Sequence, residues 1–132
     1  MARPRIAELI DGVGRPYLRA EASPCGRFAL VIASNEVRMS HWIESAALFA
    51  MPREDLVAEL GGSDWSLSQA QWSADDTALS VILRRYPGDA PPLEARLDLV
   101  AMTASVDAGT REPLSHLSRE LERWYQNHRT KT

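Results

Sequence analysis

Between residues 93 and 99 apolar and charged side chains alternate without interruption: Leu93, Ala95, Leu97 and Leu99 against Glu94, Arg96 and Asp98. A period of two puts the apolar residues on one face of an extended strand and the charges on the other. A strand wet on one side belongs to an antiparallel sheet with one buried face, not to a parallel sheet covered by helices on both sides. The pattern predicts this strand over residues 93–102.

Other segments follow the same logic. Residues 27–34 (RFALVIAS) are apolar and β-branched behind the turn SPCG, which reads as a buried strand. In residues 37–43, Val37, Met39, His41 and Ile43 alternate with Arg38, Ser40 and Trp42, and Ser34, Asn35 and Glu36 suit a tight hairpin connection before them. Residues 46–51 form a third candidate strand. Residues 69–73 and 77–86 make two more around the turn SADD, and 77–86 should pair with 93–102 across the proline-rich loop 87–92. Residues 52–61 support two readings. Pro52, Glu54, Asp55 and Gly61 bracket a short helix, whereas Leu56, Ala58 and Leu60 would line one face of a strand.

Helical spacing occurs at both ends. Ile6, Leu9, Ile10 and Val13 predict a short helix over 5–11, stopped by Gly12. Leu114, Leu117, Leu121, Trp124, Tyr125 and His128 form one stripe, which predicts an amphipathic helix over about 112–128 that caps the sheet. The expected fold is mainly β (α+β): an antiparallel meander of six to eight strands in two similar halves, with both helices packed on it, in one domain spanning 1–132. A chain of 132 residues, 45% of them hydrophobic, buries enough surface for such a core without covalent staples.

The halves resemble each other. Residues 19–34 set above 69–84 match Ala20 with Ala70, Ser23 with Ser73, and Val31-Ile32 with Val81-Ile82; one further residue of shift aligns 44–51 with 94–102. A period near 50 residues signals a repeat, here 19–51 and 69–102. AQWSADDTALSVIL resembles the W-S-P-D-G turn and following strand of Tol-type and WD-like β-propeller repeats, and SPCGRFALVIA is similar in the same way. Ala74, Asp76 and Cys25 stand where that pattern has proline, glycine and aspartate. Two units fall short of the roughly four to eight blades that close a propeller. The resemblance therefore implies two meander units rather than a ring, and implies no activity.

Charge and cysteine usage narrow the function classes. The net charge is −3, and Lys131 is the sole lysine among scattered arginines, so no basic face for nucleic acid is expected. Cys25 has no intramolecular partner for a disulfide. No apolar run reaches the roughly 20 residues of a membrane span, and Glu8 and Asp11 interrupt any signal-like segment. The expectation is a cytoplasmic protein without cofactor or metal: HExxH, CxxC, EF-hand and phosphate-loop patterns are all missing from the sequence.

The residue types left for function are aromatic and cationic. Trp72 and Trp124 fit the core. Trp42 shares its predicted strand face with Arg38, and Arg84, Arg85 and Tyr86 end a neighbouring strand. Trp, Tyr and Arg are enriched at binding hot spots. The sequence thus points to a non-enzymatic protein-binding module, masking a partner as immunity proteins do, with a contact surface of Glu36, Arg38, His41, Trp42, Arg84, Arg85 and Tyr86. Two alternatives stand beside it. One is a ligand-binding or hydrolytic pocket at His41 with Glu36 or Asp98; the other is self-association of a sheet edge into a homodimer.

Overall fold

A computed structural model describes residues 6–12, 17–37, 41–62, 64–86 and 91–128, with only the backbone described at Val37 and His41. The chain is mainly β, with two antiparallel meanders and a helix near each end. The first sheet runs β1 (Leu18–Ala22), β2 (Phe28–Val37), β3 (His41–Ala50) and β4 (Asp55–Glu59) in sequential order. The second runs β5 (Trp65–Trp72), β6 (Ala78–Arg85), β7 (Leu93–Asp98), β8 (Thr103–Val106) and the two-residue β9 (Glu112–Pro113). Helix α1 spans Ile6–Ile10; α2 spans Leu117–His128 after a 3-10 turn at Leu114–His116.

Alternation places the core. Leu30, Ile32, Ala46 and Leu48 of the first sheet meet Leu79, Val81, Leu83, Leu93, Ala95 and Leu97 of the second in one cluster, with Leu114, Leu117 and Leu121 closing it. Helix α2 contacts β4 and β8, one strand from each sheet, so its apolar stripe bridges the two meanders. The stripe is shorter than its sequence suggests, because His128 lies exposed. The opposite face of the first sheet carries Ala20 and Ala29 beneath Ile6 and Leu9 of α1. Glu54 anchors that helix: its Oε2 accepts from the backbone N–H of Ile6 at 2.8 Å and of Ala7 at 3.3 Å, satisfying donors that the start of a helix leaves unpaired.

Several boundaries differ from the sequence expectation. Residues 37–43 and 46–51 are not separate strands: β2 continues through Val37, and β3, antiparallel to it, runs unbroken from His41 to Ala50. The segment 52–61 is resolved in favour of a strand, β4, because β3 offers it a free edge and Ala58 pairs with Leu48. The strand 93–102 is shortened. Asp98 Oδ1 accepts from the N–H groups of Val100 at 3.0 Å and Ala101 at 2.9 Å, a local turn that ends β7 and lets β8 begin at Thr103. The helix predicted over 112–128 starts late, since Pro113 remains extended in β9 and Leu114 N–H donates to Met102 O at 3.0 Å.

The two turns that precede β2 and β6 are built alike. Ser23 N–H donates to Phe28 O, and Ser73 N–H to Ala78 O, both at 2.9 Å. Ser23 Oγ accepts from Phe28 N–H and Ser73 Oγ from Ala78 N–H, at 3.0 and 2.9 Å. The third turn residue has positive φ in both, +77° at Gly26 and +60° at Asp76.

Candidate functional site

The exposed aromatic surface forms at the solvent end of β1, β2 and β3. Trp42 lies opposite Glu36 in the β2–β3 ladder. Ser34 N–H donates to Tyr17 O at 2.9 Å, which sets Tyr17 beside β2 just before β1 begins. Strand alternation then puts Tyr17, Arg19, Glu36, Trp42 and Glu44 on one face. Tyr17 and Trp42 stack with ring centroids 5.5 Å apart and planes inclined by 26°. They stay 60% and 48% exposed, large apolar surfaces left open to water. Arg19 Nη2 meets Glu44 Oε1 at 2.9 Å beside them.

Arg84 adjoins this surface through β5. It pairs with Ser66 in the β5–β6 ladder, and Ser66 Oγ accepts from Glu44 N–H at 3.0 Å where β5 comes alongside β3. Arg84 is exposed. Tyr86 is half-buried, and its N–H donates to Asp64 O at 2.7 Å.

Arg85 turns the other way and leaves the predicted contact surface. Its side chain is only 16% exposed. The guanidinium makes a bidentate contact with Glu122, Nη2 at 2.8 Å and Nε at 2.9 Å from Oε1, and lies 4.3 Å above the Tyr125 ring. Tyr125 in turn packs edge-on against the buried Trp65 at 6.4 Å. Arg85 is therefore a clamp between β6 and α2.

The structure thus brings Glu36 and Trp42 onto one face, with Arg84 across the β3–β5 junction, and removes Arg85. Arg38 and the side chain of His41 lie outside the described residues. Tyr17 and Arg19 were not anticipated; the alternation of Tyr17, Arg19 and Glu21 with Leu18, Ala20 and Ala22 is the signal that carries them.

Apart from this face, a groove of about 260 Å³ lies between α2 and the β8–β9 region. Ala104 and Leu117 contribute apolar lining, and Glu112, Glu120, Arg123 and Trp124 polar or aromatic lining. None of its lining comes from β3. Among the described residues no group of three or more His, Cys, Asp or Glu side chains could hold a metal ion, and no helix is long and apolar enough to cross a membrane. Compared with protein-family models, with curated proteins and with solved structures, the chain matches none.

Proposed function

We propose that the chain is a small protein-binding module that covers a partner through the face formed by Tyr17, Glu36, Trp42 and Glu44. The stacked, half-exposed Tyr17–Trp42 pair carries the reading. Two rings already ordered against each other lose little side-chain entropy on binding, and their apolar area is available to a partner. Glu36 opposite Trp42 adds a carboxylate beside the exposed indole. A lysine or arginine of the partner laid on that surface gains cation–π and charge contacts together. Masking of a partner, in the manner of an immunity protein, is the use such a surface would serve.

The reading includes the architecture and the setting. The matched hydrogen bonds of the Ser23 and Ser73 turns support two copies of one meander unit, as does their spacing in sequence. The free, exposed Cys25 suits a reducing compartment, the cytoplasm.

The test is affinity capture from the native cell extract by the wild-type chain, by Trp42→Ala and by Arg111→Ala, the last a distant exposed control. A stoichiometric partner retained by wild type and Arg111→Ala but lost by Trp42→Ala supports the reading. Equal retention by all three removes the face from consideration. The groove beside α2 favours a second reading, a small-ligand carrier; fragments that shift Trp124 resonances without touching Trp42 would support it.

A further inference from the structure

A sheet edge is a row of unpaired donors and acceptors, and stable proteins cover, shorten or distort such edges. Three of the four edges here are managed. Along β4, Ser118 Oγ donates to Glu59 O at 3.1 Å, and the 3-10 turn and α2 pack against the strand. Strand β5 abuts β3 through Ser66. Strand β9 is two residues long and ends in Pro113, which has no N–H to offer. Helix α1 packs on one face of β1 through Ile6 and Leu9, and among the described residues β1 has a strand on one side only.

The ladder fixes which groups of β1 face outward. Ser34 N–H bonds Tyr17 O and Ser23 N–H bonds Phe28 O, so odd-numbered positions point their backbone groups at β2. By antiparallel alternation Leu18, Ala20 and Ala22 point theirs away from the sheet. The side chains have a second regularity: Arg19 and Glu21 flank Ala20 symmetrically, on the face opposite the one covered by α1.

We propose that β1 pairs antiparallel with β1 of a second copy of this chain, with Ala20 on the two-fold axis. Outward groups of Ala20 then bond those of the other Ala20, and Leu18 exchanges bonds with Ala22. Arg19 of each copy falls opposite Glu21 of the other, at the closer, non-hydrogen-bonded kind of pair. A shift of register by two residues would oppose like residues, Arg19 to Arg19 or Glu21 to Glu21, so the charge pattern selects this alignment. On the other face Leu18, half-buried beside α1, gains the exposed Ala22 of its neighbour. The product is a continuous eight-stranded sheet from two four-stranded ones, with a self-complementary interface as two-fold symmetry requires.

Sedimentation equilibrium of the full chain tests this with three variants. Wild type should sediment at twice the chain mass at high concentration. Glu21→Arg opposes arginines across the axis and should weaken the dimer at least about tenfold, while Arg19→Glu/Glu21→Arg restores opposite charges and the dimer. Ala22→Pro deletes an outward N–H without touching the β1–β2 ladder and should also weaken association, with circular dichroism unchanged. A wild-type chain monomeric at millimolar concentration overturns the proposal. So does a dimer indifferent to both Glu21→Arg and Ala22→Pro, which would lie on another surface.

Discussion

The hydroxyl of Ser23 donates a hydrogen bond to the carboxylate of Asp76, 53 residues further along the chain. The bond joins the turn before β2 to the turn before β6, and with it the two meanders. Asp76 Oδ1 also accepts from Cys25 N–H at 3.0 Å, and Oδ2 from Arg27 N–H at 3.2 Å. One carboxylate, 2% exposed, thereby satisfies three donors of the opposite turn. It does so from a left-handed backbone position that Asp tolerates better than most residues. Asp76→Ala leaves those donors without their acceptor and adds backbone strain. We expect a loss of about 3 kcal/mol in chemical denaturation, against about 1–2 kcal/mol for Asp76→Asn.

The same carboxylate gives the protein an acid limb. Burial pushes the Asp76 carboxyl up, but the Ser23 hydroxyl, the Cys25 and Arg27 N–H groups and the Arg27 charge outweigh it and hold it below the usual value. A folded pKa below the unfolded one means that the stabilisation is fully present above the unfolded carboxylate range, around pH 4. It is lost as pH falls through the folded value. Asp75, lowered chiefly by the Thr77 hydroxyl, and Asp98, lowered chiefly by Ala101 N–H, act in the same direction. Melting temperature should therefore fall steeply below about pH 4, and Asp76→Asn should flatten that fall.

Gly61 and Trp65 form a second constraint. Gly61 has φ +90°, and a Cβ built there would lie 2.5 Å from Trp65 Cγ. The indole occupies the space that any side chain would take. Gly61→Ala must displace a buried tryptophan as well as strain the backbone, and we expect a cost of about 2–4 kcal/mol. Gly62→Ala is the control: its Cβ meets nothing within 4 Å, and its denaturation midpoint should barely move.

Attachment of α2 depends on Arg85. Arg85→Met retains bulk over Tyr125 but deletes the bidentate contact with Glu122. We expect about 1–2 kcal/mol of lost stability. Amide exchange should accelerate first in α2 (Leu117–His128), ahead of β6 and β7.

Local periodicity made most of the strands legible: β6 and β7 alternate openly, and the stripe of α2 names its own buried face. What remained hidden lay in contacts between distant residues or in short polar segments. Strand β8 is four residues, TASV, too few for a period to show. The end of β7 depends on one carboxylate turning back to its own backbone. Trp42 was expected at the surface from its polar neighbours, yet that alternation was counted across the end of β2 at Val37 and the start of β3 at His41. Its actual neighbours, Glu36 across the ladder and Tyr17 from β1, belong to other strands. Arg85 could not be separated from Arg84 by sequence, because only the position of α2 decides which of them is enclosed.

The Tyr17–Trp42 face is the surface we propose meets a protein. A photo-activatable benzoylphenylalanine in place of Trp42, compared with the same residue in place of the exposed Gln71 on the second sheet, tests it most directly in the native cell. We expect one discrete crosslinked species from position 42 and none from position 71. No adduct from position 42, or the same adducts from both, would contradict it.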